Sequence, residues 1–136
     1  MASAGWALQQ AVFAALTNDA PLLALLGGPR IWDDVPARAE FPYVTFAQSG
    51  ERDWSAGSDD GREHSVVLHV WSRAGGRREA HEIMGAVRAA LHDAALTLPG
   101  HRLVNLRHES SDARRDADGE TTHGIVRFRA VTEPVV

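Results

Sequence analysis

A chain of 136 residues, 44% of them hydrophobic, is the size of one domain and long enough to bury a core. A formal net charge of -4 argues against the basic excess of a nucleic-acid-binding surface. No apolar run reaches the roughly 18 residues of a membrane-spanning helix, and the absence of cysteine excludes a disulfide framework, a thiolate metal site and a thiol nucleophile. The N-terminal segment lacks the basic residues and long apolar core of a signal peptide, so a soluble, cytoplasmically made protein is expected. All fourteen basic side chains are Arg; a GC-rich coding sequence accounts for that, and the planar guanidinium also suits interfaces.

The first helical pattern runs from Gly5 to Thr17, with Leu8, Val12, Ala15 and Leu16 on one face. Trp6 and Phe13 lie on the shoulder of that stripe and are expected in the core, the alternative being an edge shown to a partner. Asp19 caps a short second helix, with Pro21 in its first turn and Gly27 closing it. A brief extended piece, Arg30 to Trp32, leads into the polar link Asp33 to Pro36.

A strand starting at Pro42 alternates Tyr43, Thr45 and Ala47 with Val44 and Phe46. A second, Glu63 to Ser72, is apolar on both faces, the pattern of a central strand covered by helices on one side and a neighbouring subunit on the other. Between them lies a polar excursion of about ten residues, long for a hairpin connection. After Gly75-Gly76, Ala80, Ile83, Met84, Val87, Ala90 and Leu91 mark an amphipathic helix from Arg77 to Ala94. Arg77 and Arg78 oppose its dipole, which hints at a carboxylate near that end. Pro99-Gly100 forms a turn.

The last element is a hairpin from Arg102 to Thr132. A three-residue loop, Ala117 to Gly119, pairs Leu106 with Ala130, His108 with Phe128 and Ser110 with Val126. A two-residue turn at Asp118-Gly119 would instead set Glu109 against Phe128 and Ser111 against Val126. The first register is preferred because it keeps an apolar face inward and puts Arg107, Glu109, Arg127 and Arg129 on the other. The polar stretch Ser110 to Thr122 is expected to project beyond the sheet as a second arm.

No catalytic constellation emerges. His81-Glu82 lacks the second histidine one turn on that a zinc-protease helix needs, because that position is Gly85. The other histidines are scattered, and neither Asp59-Asp60 nor Asp112 to Glu120 follows a calcium-loop alternation. The serines lack a strand-to-helix elbow, and the glycine pairs carry no phosphate-binding fingerprint. No cofactor or metal is expected. A small hydrolase using His108 or His123, and a nucleic-acid-binding module using the Arg-rich hairpin, stand as the competing classes.

Five segments together resemble a known family: Leu8 to Leu16, Arg30 to Pro36, Phe41 to Val44, His69 to Ser72 and Leu91 to Asp93. Their order and spacing, over about residues 5 to 132, look like the tail-completion family of tailed phages and gene transfer agents. That family is similar in fold to the phage lambda tail terminator. The resemblance implies one α+β domain over 1–136, with a mixed, mainly antiparallel sheet of about four strands and two main helices on one face. It implies a structural virion protein, not an enzyme, forming a ring, usually a hexamer, at the head-proximal end of the tail. The ring caps the tail tube, joins it to the head connector or stopper, and lets DNA pass without specific binding; no membrane is involved. A head-tail adaptor of the same particle is the alternative role.

A ring built by head-to-tail contact needs two different complementary surfaces on each subunit. The expected candidates are the outer hairpin face with Arg107, Arg127 and Arg129, and an acidic arm carrying Glu51, Asp53, Asp59 and Asp60, with Arg52, Arg114 and Arg115 as further interface residues. Trp54 is the expected apolar anchor, since interfaces favour aromatic residues and Arg.

Overall fold

A computed structural model describes residues 3–55 and 60–135. Helix α1, Ala4–Thr17, starts where the Ser3 hydroxyl accepts a hydrogen bond from the Trp6 N–H at 3.2 Å. Helix α2, Ala20–Leu26, starts where the Asp19 carboxylate accepts from Leu22 N–H at 3.1 Å, and ends at Gly27 in the left-handed region, φ 79°. Both ends of α2 fall where the capping residues predict. Helix α3, Arg78–Leu91, stops short of the expected Ala94, with Asp93 at φ 59° breaking the spiral. The Arg78 guanidinium meets its carboxylate within the helix itself, Glu82 at 3.4 Å.

Six strands form one sheet, two more than expected: β1 Ile31–Trp32, β2 Tyr43–Asp53, β3 Arg62–Ser72, β4 Thr97–Leu98, β5 His101–Arg115 and β6 Thr122–Pro134, in the order β1-β2-β3-β6-β5-β4. The two additional strands are two-residue edge pieces, too short to carry a periodic signal. Only β1 runs parallel to its neighbour. β3 is central, as its doubly apolar pattern predicts. One face of it, His64, Val66, Leu68, Val70 and Ser72, is buried under the helices, whereas Val67, His69 and Trp71 on the other are half-buried.

Both expected polar arms are corrected by the strand pairing. β2 continues to Asp53, so Glu51, Arg52 and Asp53 are paired strand residues opposite His64, Glu63 and Arg62. Likewise Ser110 to Arg115 pairs with β6, which is itself paired to β3, and only the 116–121 turn extends past the sheet. These polar residues lie in strands because the neighbouring strand saturates their backbone groups, not because one face is apolar.

The β5–β6 register combines the two alternatives. Leu106 faces Ala130 and His108 faces Phe128, the preferred pairing; beyond a bulge at Glu109, Ser111 faces Val126, the rejected one. The inserted residue shifts β5 by one position against β6, so Ser111 rather than Ser110 stands opposite Val126 on the helix side. There Asp116 N–H donates to Thr121 O at 2.8 Å, and Gly119 sits at φ 71°.

The core joins Leu8, Val12 and Leu16 of α1 and Ile83, Met84 and Val87 of α3 to Leu68, Val70, Val126 and Phe128 of the sheet. Trp6 and Phe13 are not part of it: they are 49% and 43% exposed. Packing is tightest at Gly124, where an added Cβ would lie 2.8 Å from Met84 Sδ and 3.4 Å from Val70 Cβ. Gly124→Leu should therefore destabilise the fold by about 1–3 kcal/mol through overpacking. An unchanged urea midpoint would show that α3 is not seated so closely.

Candidate functional site

The β2–β3 hairpin tip is acidic on balance, with three carboxylates gathered around one guanidinium. The Arg62 guanidinium lies 2.5 Å from Asp60, 3.4 Å from Asp53 and 3.6 Å from Glu51. Asp53 also accepts from the Ser55 hydroxyl at 2.6 Å, and that bond, with Arg62 nearby, holds its carboxyl below the usual range. Asp59 falls outside the described residues. Trp54 stands at this tip, 49% exposed, with its N–H donating to Gly61 O at 2.9 Å. Gly61 is buried against it: a Cβ there would meet Trp54 O at 2.9 Å, so the turn requires glycine to carry the tryptophan outward.

Arg52 projects onto the open face of the sheet, where its Nε donates to Glu63 at 2.6 Å. Arg129 donates to the other oxygen of Glu63 at 2.6 Å, and Arg127 to Asp112 at 2.6 Å. Burial favours the neutral acid at Glu63, but the bonds from Arg129 and Arg52 outweigh it and keep the carboxyl below its usual range. Cross-strand pairing puts Arg52, Arg107, Arg114, Arg127 and Arg129 on this one face with Glu63 and Asp112. Val131, 0% exposed, and Ile125, 9% exposed, are buried on this same face. Arg107 reaches Asp93 at 3.8 Å, whereas Arg114 and Arg115 have no carboxylate within ion-pair distance among the described residues.

At the turn end of the same face the aromatic rings stack. Trp71 lies 4.0 Å from His123 at 9° and 6.4 Å from Tyr43, while the indole N–H donates to Thr45 Oγ1 at 3.0 Å. His123 Nε2 and His69 Nδ1 are hydrogen-bonded at 2.8 Å, and Asp116 is 3.6 Å from His123 Nδ1. Burial holds both imidazoles below their ordinary range; His123 and Arg114 add to this at His69, whereas Asp116 opposes it at His123. His108 is on the other face, against Phe128 and hydrogen-bonded to Ser111 at 2.7 Å, so His108 and His123 share no site. Among the described residues no three His, Asp or Glu side chains gather to hold a metal ion.

The expected site residues thus divide by place. Glu51, Asp53, Trp54 and Asp60 share one tip; Arg52, Arg107, Arg114, Arg127 and Arg129 share the open face; Arg115 stands at the free edge of β5. Arg62, the hub of the first tip, went unnoticed in the sequence.

A family model described as tail completion protein gp17 matches residues 10–133. The chain belongs to the tail completion protein gp17 family. Over 123 residues it is 28% identical to the tail completion protein gp17 of Bacillus phage SPP1, covering 90% of each chain. Among solved structures, a chain from the virion of a native gene transfer agent particle matches with a TM-score of 0.88 and 34% identity, over 97% of this chain and 99% of that one. Another solved chain, at 15% identity and a TM-score of 0.55, shares the fold alone. The role is accordingly structural, tail completion in the virion of a tailed particle.

Proposed function

We propose that the subunit assembles into a hexameric ring at the head-proximal end of the tail. There it closes the tail tube and joins it to the head connector or stopper, with DNA passing through unbound by sequence. The observation that carries this reading is the match over nearly the whole chain to a subunit of an assembled gene transfer agent virion, at 34% identity. The surface agrees with it. The sheet has two dissimilar lateral edges, β1–β2 and β5–β4, as a head-to-tail ring needs. The Trp54 tip stands at one end of the strands, where it can reach along the ring axis to the tube or connector.

Electron microscopy of assembled particles tests the reading directly. A ring of this chain between tube and connector is the expected result, and finding the protein only inside the capsid would sink it. Trp54→Ala should leave the subunit as stable as the parent, because the indole is half exposed, yet cut joined particles by about tenfold or more, the loss of an anchor residue. If the variant unfolds instead, Trp54 is a structural residue and not a contact.

A further inference from the structure

Two groups of like charges on this chain lack an opposite charge and stand on opposite edges of the sheet. Asp33 and Asp34 follow β1, are exposed, and have no ion pair among the described residues. Arg114 and Arg115 end β5 at its free margin, since β4 pairs only with His101 and Arg102. Both are exposed; the single polar bond found for either is Arg115 donating to Gly119 O at 3.0 Å. Other unpaired charges, such as Arg77 and Arg88, stand singly. Adjacent unpaired charges of one sign repel each other, and no ion pair among the described residues offsets that here.

The register fixes their relative height. Trp32 pairs with Thr45, Thr45 with His69, His69 with Ile125 and Ile125 with Asp112, so Trp32, one residue before Asp33, and Asp112, two before Arg114, lie in one row across five strands. β1 and β5 run in opposite directions, so Asp33 lies one residue to one side of that row and Arg114 two to the other. The offset along the strands is roughly 10 Å, which an arginine and an aspartate side chain together can bridge. A ring closes without rising into a helix only when the patches in contact stand at similar levels on opposite sides of the subunit.

The acidic edge also has an apolar floor. Asp33 borders a groove of about 430 Å³ lined by Trp6, Phe13 and Phe46, with Gln9 and Gln10 at its margin. An arginine entering it meets both a carboxylate and an aromatic face, the environment that favours guanidinium over ammonium.

We propose that the groove is filled by a second copy of this chain: the Arg114-Arg115 edge of one subunit seats on the Trp6-Phe13-Asp33-Asp34 edge of the next. A nucleic acid is disfavoured by the two aspartates, and a different protein would call on only one of the two edges. That both occur on one chain, complementary in charge and near one level, points to the subunit's own neighbour. The inference rests on the ring reading above and names the contact that closes the ring.

The test replaces the chain in particle-producing cells and counts ring-bearing particles by electron microscopy, with circular dichroism of each purified variant as the check on folding. Asp33→Arg with Asp34→Arg, and separately Arg114→Asp with Arg115→Asp, should each stay folded and lower ring-bearing particles at least about tenfold, because like charges then face each other. All four substitutions together should restore rings to within about threefold of the parent, since the charges are again complementary. Double variants that build rings like the parent, or a fourfold variant no better than the doubles, overturn the contact while leaving the ring reading intact. A parent chain that forms no ring overturns the ring reading itself. Should either double variant lose its fold, the single substitutions Asp33→Arg and Arg114→Asp and their combination decide in the same way.

Discussion

Phe128→Ala should lower the unfolding free energy by about 3–5 kcal/mol, a large part of the whole stability of a domain this size. The side chain is the largest that is fully buried, and it stands on β6 at the middle of the sheet, beneath the helices. Its ring edge meets His108 at 5.6 Å and 77°, so truncation removes an aromatic contact along with the buried area. Residual structure at 37 °C would be marginal. The measurement is urea denaturation followed by circular dichroism; a loss below about 1 kcal/mol would mean the neighbours close over the cavity.

Acidification should also destabilise the fold, through four histidines at once. His64, His69, His108 and His123 are each held below the ordinary imidazole range, with burial the leading cause in every case. His64 is 3% exposed and shares a hydrogen bond of 2.8 Å with Thr132 Oγ1. In the unfolded chain these groups take up protons near their ordinary value of 6.5; in the folded chain they do so only at lower pH. Below that value the unfolded state therefore binds more protons, and stability falls as the pH is lowered through it. Above it these groups contribute no slope. Each unit of depression is worth about 1.4 kcal/mol, and the carboxylates of Asp53, Glu63 and Asp118, the last held at about 2 by bonds from Thr121 and Glu120, add their own loss further into acid. A denaturation midpoint that stays level from about pH 7.5 to about pH 5.5 would contradict this assignment, and His64→Gln together with His123→Gln should flatten the slope.

Sequence reading succeeded where one residue type does one job. Asp19, Pro21 and Gly27 mark both ends of α2, and the buried stripe of α3 is the one its spacing predicts. The match to the family follows from five such segments read together. It failed where a strand's partner, not its own pattern, decides. Glu51 to Asp53 and Ser110 to Arg115 are polar on both faces, and nothing in their periodicity distinguishes a paired strand from a loop. The Glu109 bulge was equally hidden, because each register satisfies half of the hairpin. For the candidate site, the open-face arginines were foreseen, but the hub of the acidic tip was not: Arg62, outside the run of carboxylates, gathers three of them. Trp6 and Phe13 looked like core because a helix stripe cannot show how wide a face its sheet will cover.

The strand order has one further consequence, which concerns time rather than space. β6 lies between β3 and β5, so the last thirteen-residue strand of the chain, ending at Pro134, is the middle of the sheet. While the chain is being made, α1, α2 and α3 and the β2–β3 hairpin emerge with no central strand to pack upon. The strip of residues that carries Val126, Phe128 and Ala130 leaves the ribosome after every other described strand. The subunit therefore cannot close its core until β6 has been made, and the free edge of β5 that we assign to the neighbouring subunit is fixed in place by the same event.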